Sequence, residues 1–213
     1  PYLLARNELG ANGVEMLLAE QRDGKTDYES LFVVRADATE TSLADFEGQR
    51  IAFTSETSTS GYVFAYSRLV EEGLLEPGQN PQSFFSEVIF AGGYEQALER
   101  VLAGEADLCA VSFYTIEGPT ADTYTTADER AQLRALTRTS GVPTHLIWAR
   151  TDLPAEIRQS LTQALLEVSE TRPDLLADVY GAATLVEVDE EEHLAGAVAA
   201  IERTQIVPAD IVQ

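Results

Sequence analysis

Ile51-Ala-Phe-Thr-Ser-Glu-Thr-Ser-Thr-Ser-Gly-Tyr62 reads as the end of a strand, a run of hydroxyls and the start of a helix. Ile51–Phe53 is a short apolar run, and Val63, Phe64, Tyr66, Leu69 and Val70 fall on one helical stripe that Gly73 is placed to end. A strand handing over to a helix is the repeating unit of an α/β fold. The first amides of a helix have no partners within it, and the macrodipole puts partial positive charge there. Such an end binds oxyanions without a lysine. One hydroxyl suffices for an ordinary N-cap; here Ser58, Thr59 and Ser60 stand in a row before Gly61.

The same alternation extends in both directions. Strand-length apolar runs occur at 31–36, 50–54, 87–91, 108–113, 133–139 and 145–150. Short, continuous and rich in Val, Ile and Phe, they predict buried strands of a mostly parallel sheet. Helical patterns occupy about 60–72 and 94–103, a stretch after Pro154, and then 173–180 and 190–201. Phe90-Ala-Gly-Gly-Tyr-Glu-Gln-Ala97 is a second strand-to-helix junction, whose glycines permit close backbone approach to a ligand or simply make the turn. The Thr-rich stretch 118–128 reads as a surface excursion, Cys109 as an inert core thiol, and His193, among Glu190–Glu192, as part of a solvated helix face.

Charge narrows the range of functions. The 213 residues include 36 acidic and 14 basic ones, a formal net charge of −22, and Lys25 is the only lysine. Nucleic acid and anionic membrane surfaces repel such a chain. An anion must then be captured by local, directional donors, with distant charge damped beyond about 8–10 Å. No apolar run approaches the roughly 20 residues of a membrane span, and no stretch reads as a signal peptide in a sequence that opens on Pro1. A single cysteine leaves no intrachain disulfide and no multi-cysteine metal site. The sequence carries no nucleophile elbow, paired-histidine metal motif, phosphate-binding loop or dinucleotide fingerprint, so neither an enzyme nor a cofactor is expected.

These junctions and their surroundings resemble the phosphonate-binding proteins of ABC importers, within the wider phosphate, phosphite and phosphonate binding family. Tyr28-Glu-Ser-Leu-Phe-Val-Val-Arg-Ala-Asp37 is similar to the family's first crossover strand, and Ser42 to Phe53 to its approach to the ligand loop. Ser58-Thr-Ser-Gly61 is similar to its ligand-binding Ser-Thr-Ser-Gly. Tyr94 to Asp107 keeps a helix followed by Gly104-x-x-Asp107, and Val142 to Pro154 resembles the return crossover. The likeness extends from about Pro1 to Val168.

The resemblance implies a two-lobed α/β clamshell of the type II periplasmic-binding-protein kind, with the ligand in its cleft. Residues 1–42 and 138–213 are expected to form a partial first lobe and 43–137 the second; roughly seventy residues that open the first lobe are expected to be missing before Pro1. The implied function is extracytoplasmic capture of a small oxyanion, phosphonate, phosphite or phosphate-like, for the membrane subunits of an ABC importer. The implied location is periplasmic or extracellular, with lipid anchoring one arrangement. A sensing domain of a signalling receptor, or a binder of another anion such as a sulfonate, is the alternative.

By the same resemblance Ser58, Thr59 and Ser60 match donors to phosphonate oxygens, and Tyr28 a tyrosine that contacts the ligand. Three positions depart from the pattern. Tyr94 stands for a pocket histidine, Tyr114 for a glutamate toward a ligand amine, and Thr144, followed by His145, for an aspartate. An ammonium in a cleft needs a carboxylate or an aromatic cage. Without the carboxylates, 2-aminoethylphosphonate is disfavoured, and a neutral, aromatic pocket for a small oxyanion is expected, with Tyr94, Tyr114, Thr144 and His145 as candidate lining residues.

Overall fold

The computed structural model describes residues 2–10, 12–180 and 184–205. The elements in chain order are α1 (Tyr2–Leu9), β1 (Val14–Gln21), β2 (Asp27–Arg35), β3 (Arg50–Phe53), α2 (Phe64–Glu71), β4 (Glu87–Phe90), α3 (Tyr94–Leu102), β5 (Leu108–Ser112), α4 (Ala127–Arg130), β6 (Leu133–Pro143), β7 (Leu146–Arg150), α5 (Ala155–Thr171), α6 (Pro173–Tyr180), β8 (Thr184–Val186) and α7 (Glu190–Thr204).

The chain forms two compact units. One holds the chain up to Asp27 together with Pro143–Ala195; the other holds Tyr28–Val142 and the stretch that begins at Gly196. The divisions thus fall at 27/28 and 142/143, where the sequence reading placed lobe boundaries at 42/43 and 137/138. The difference follows from hydrogen bonding: β2 is laddered to β5 from Ser30↔Ser112 to Val34↔Leu108, so it lies inside the second unit's sheet. Residues 206–213, assigned from sequence to the first lobe, lie outside the described residues.

The second unit is built on a five-stranded sheet in the order β4-β3-β5-β2-β6. β3 runs parallel to β4 and to β5, while β2 runs antiparallel to β5. The sheet is therefore mixed rather than mostly parallel. Both of its faces are covered, which explains the continuous apolar runs. Side chains alternate across a strand, so in β2 Phe32 and Val34 join one core with Ile51, Phe53, Leu69 and Leu108, while Leu31 and Val33 join the other with Ala52, Leu98, Val101 and Val111. α2 supplies Ala65, Tyr66 and Leu69 to the first face, and α3 supplies Ala97, Leu98 and Val101 to the second. Each large side chain buried this way contributes about 1.5–3 kcal/mol.

The first unit carries a three-stranded sheet, β7-β1-β8, antiparallel throughout. The register of β1 against β7 shifts between Met16 and Leu18. That bulge adds a residue on one strand, and Leu17 and Leu18 both end in one core with Leu176 and Leu185. A smaller core gathers Tyr2, Val14 and Leu194 against Trp148. Neither α1 nor β1 was expected from sequence. Val14-Glu-Met-Leu-Leu-Ala-Glu-Gln21 is rich in good helix formers, and only pairing with two neighbours makes it a strand.

Candidate ligand-binding site

The site is assembled at the carboxyl ends of β3, β4 and β5, where open α/β sheets bind ligands. After β3 the chain does not enter an α-helix directly. Thr59–Val63 forms one π-helical turn, and α2 continues from it. Such wide turns occur frequently at functional sites. Ser58 accounts for its form: its hydroxyl accepts from the Gly61 amide at 3.0 Å, and its carbonyl accepts from both the Tyr62 and Val63 amides at 3.2 and 3.0 Å. Among the described residues, the amides of Thr59 and Ser60 donate to no protein acceptor. Gly61 is required here by close approach, since a Cβ at this position would lie 2.0 Å from the buried Thr54 Oγ1.

The second junction lies beside the first. The Ala91 and Gly92 amides donate to the Phe53 and Thr54 carbonyls at 2.8 and 2.7 Å, with Gly92 at φ +97°, where a side chain is strained. This fixes the start of α3 and its first residue, Tyr94. The Tyr94 hydroxyl lies 2.7 Å from the fully buried Ser60 hydroxyl, and Tyr28 Oη donates to the same Ser60 oxygen at 3.4 Å. Ser30, two residues beyond Tyr28 on the same face of β2, donates to the Ser60 carbonyl at 2.6 Å. The Tyr114 ring contacts those of Tyr28 and Tyr94 at centroid distances of 5.7 and 5.9 Å. Tyr124 adds a fourth ring, 5.6 Å from Tyr114 and 6.1 Å from Tyr94.

These contacts join neutral side chains. Burial, then the neighbouring Tyr94 and Tyr28, push the Tyr114 phenol well above its ordinary range. It therefore keeps its proton at any physiological pH and offers an O–H rather than a phenolate. Two nearby acidic groups are paired: Arg138 bridges Glu29 and Glu117 at 3.1 and 2.5 Å.

The structure thus brings Tyr28, Ser60, Tyr94 and Tyr114 together, with Ser58 and Thr59 in the turn that carries Ser60. Thr144 and His145 belong to the other unit. Thr144 is buried and its hydroxyl donates to the Glu20 and Thr26 carbonyls at 2.5 and 3.0 Å. His145 Nδ1 lies 2.6 Å from Oε2 of Glu20, a buried carboxylate whose other oxygen is 2.5 Å from Arg22. His193 is not on a solvated face: its ring is half-buried, it hydrogen-bonds the Thr144 backbone, and its Nε2 has no partner among the described residues. The sequence reading missed Ser30, Thr54 and Tyr124. Strand period two from Tyr28 leads to Ser30; nothing in the polar run around Tyr124 marks it. Among the described residues no group of three His, Cys, Asp or Glu side chains is placed to hold a metal, and no helix is long and apolar enough to cross a membrane.

The family described as ABC transporter, phosphonate, periplasmic substrate-binding protein matches residues 1–194. The chain belongs to this family. A curated relative of this phosphonate-transporter family, the phosphate-import protein PhnD of Mycolicibacterium smegmatis, is 31% identical over 104 residues, covering 46% of this chain and 32% of that protein. The chain thus spans about a third of that relative's length. Among solved structures, XAC2383 of Xanthomonas citri bound to chloride superposes with a TM-score of 0.75 at 22% identity, covering 91% of this chain and 72% of the other. PhnD1 of Prochlorococcus marinus in complex with methylphosphonate gives 0.70 at 18% identity, covering 94% and 74%. These likenesses show the fold, that of the type II periplasmic binding proteins.

Proposed function

We propose that this chain captures a small, tetrahedral oxyanion with at most a small uncharged substituent (phosphite, methylphosphonate or phosphate) for import by the membrane subunits of an ABC transporter. The observation that carries the reading is the Ser60 hydroxyl, held between Tyr94 and Tyr28 beneath a turn whose Thr59 and Ser60 amides have no acceptor among the described residues. Amides, hydroxyls and protonated phenols are hydrogen-bond donors, and donors to an ionised oxygen are roughly twice as strong as neutral pairs. Ser58, Thr59, Ser60, Tyr28, Tyr94 and Tyr114 are the proposed contacts. The protein is a binder rather than a catalyst in this reading, working outside the cytoplasm as its family does.

Neutral aromatic walls also define what is rejected. A ligand ammonium needs a carboxylate or cage to replace its hydration. Tyr114 stands where the resemblance expects a glutamate, so 2-aminoethylphosphonate is a poor ligand here. Two of the relatives fit this class, the phosphate-import protein and the protein in complex with methylphosphonate. The test is a thermal-shift series followed by calorimetry with phosphate, phosphite, methylphosphonate, 2-aminoethylphosphonate, sulfate and taurine. A ligand at a hundred times its Kd stabilises by about 2.7 kcal/mol. Stabilisation by sulfate or taurine alone would replace this reading with a sulfonate-type binder.

A further inference from the structure

The segment between β5 and α4 is polar and lies on the surface, yet it is built to hold one ring in place. Ala121 is buried, and the Tyr124 and Thr125 amides donate to its carbonyl at 3.0 and 2.9 Å. The buried Thr125 hydroxyl donates to the Thr115 carbonyl at 2.8 Å, tying the excursion to the turn that carries Tyr114. Arg130 closes the segment from the other side, bonding the Thr125 carbonyl and the Asp122 carboxylate. A loop with such anchors is not an ordinary mobile surface excursion.

What the anchors present is the half-buried Tyr124 ring. It stands edge-on to Tyr94, with an interplanar angle of 82°, and tilted at 40° to Tyr114. Both partners belong to the ring set around Ser60: Tyr94 through its hydroxyl at 2.7 Å and Tyr114 through its contact with Tyr28. Tyr124 is therefore the outer member of an aromatic wall whose inner members meet the proposed anion. A substituent on the bound tetrahedral centre that extends along Tyr94 and Tyr114 runs toward Tyr124.

We infer that Tyr124 is a specificity-determining residue that sets the upper size of the substituent this pocket accepts, excluding phosphonates with alkyl chains longer than methyl. The inference rests on the oxyanion reading above. The physical scale is that of a fitted pocket, in which one methylene is worth roughly 10–200-fold in discrimination.

The experiment is calorimetric titration of the whole chain with phosphite, methylphosphonate, ethylphosphonate and n-propylphosphonate, for the native protein, Tyr124→Ala and Tyr124→Phe. The native protein is expected to bind n-propylphosphonate at least about tenfold more weakly than methylphosphonate. Tyr124→Ala is expected to reduce that ratio by about tenfold while leaving phosphite within about threefold, and Tyr124→Phe to follow the native protein. An unchanged methyl-to-propyl ratio in Tyr124→Ala overturns the inference and leaves the oxyanion reading standing. Absence of binding to all four ligands by the native protein overturns the inference; if phosphate, titrated alongside them, also fails to bind, the oxyanion reading falls with it. Should Tyr124→Ala lose its cooperative melt, Tyr124→Leu, which keeps apolar contact with both rings but not the breadth of a phenol, is judged by the same ratio.

Discussion

The hydroxyls of Ser60 and Tyr94 lie 2.7 Å apart, although the two residues begin different helical segments after different strands. The pair exists because the second junction hydrogen-bonds the first through the Phe53 and Thr54 carbonyls. An anion bound at the turn would receive donors from two chain segments that hold each other in register. Ser60→Ala and Tyr94→Phe are each expected to weaken oxyanion binding by about 1.5–3 kcal/mol. The double variant is expected to cost less than the sum, because residues in one hydrogen-bond network couple by about 0.5–3 kcal/mol. Calorimetry on the four proteins of the cycle measures the coupling. Strict additivity would mean that the two hydroxyls contribute to binding independently and not as one network.

Ser58 and Gly61 are expected to act on stability as well as on binding. The Ser58 hydroxyl caps the Gly61 amide, and losing such a cap costs typically about 1 kcal/mol. Ser58→Ala should therefore lower the urea midpoint of the free protein and loosen the turn that holds Ser60. Gly61→Ala is the harsher change. Its Cβ would meet Thr54 Oγ1 at 2.0 Å, in a region where the surrounding side chains are buried. Overpacking of this kind costs about 1–3 kcal/mol, and the displaced turn should lose most of its affinity. A Gly61→Ala protein with native midpoint and native affinity would show that the turn is far more pliable than its packing implies.

How far the site was readable follows from the range of the interactions. The Ser58–Gly61 turn is local: its cap, its glycine and its place between an apolar strand and an amphipathic stripe all lie within a dozen residues. The core assignments of β2, β3 and β5 were equally local, since strands buried on both faces advertise themselves as apolar runs. β1 was hidden because its composition favours a helix and its strand pairing depends on β7 and β8, more than a hundred residues away. Tyr124 and Thr54 were hidden because their parts show only in packing. Thr54 matters through Gly61, and Tyr124 through rings brought near only by the anchored segment. His193 was misread because three neighbouring glutamates suggested a solvated face, whereas its own direction along α7 is inward.

Asp107 shows a residue of the recognised pattern serving structure rather than ligand. Its carboxylate accepts from the Arg50 amide at 2.9 Å and from the Arg50 guanidinium at 3.0 and 2.8 Å, joining the start of β3 to the entry of β5. The Arg50 hydrogen bonds hold its pKa below the ordinary 3.8. A carboxyl whose folded pKa is depressed adds stability above its unfolded pKa and loses it as pH falls through the folded one. Asp107→Asn is therefore expected to lower the urea midpoint at neutral pH, with the deficit shrinking below pH 3.8. The slope of the transition should be unchanged, because the surface exposed on unfolding is the same. A deficit that persists undiminished at acid pH would mean that the carboxylate charge is not what matters.

His193 carries the opposite sign. Burial disfavours its cationic form and lowers its pKa from the ordinary 6.5, against smaller upward effects of the Thr144 backbone bond and the Asp27 charge. Its Nε2 lacks a partner among the described residues, so protonation would create a buried, unsatisfied donor. In the window between the lowered folded pKa and 6.5 the unfolded chain binds the extra proton. Stability contributed by this residue is therefore complete above 6.5 and declines as pH falls below it. Carboxylates also titrate as the solution is acidified, so the native profile alone does not isolate this effect; a comparison does. His193→Gln, which retains a donor for the Thr144 backbone and cannot ionise, is expected to show a shallower fall in melting temperature from about pH 7 to about pH 5 than the native chain. Parallel profiles for the two proteins would show that the histidine protonates in the folded state as easily as in the unfolded one, and that its burial carries no electrostatic cost.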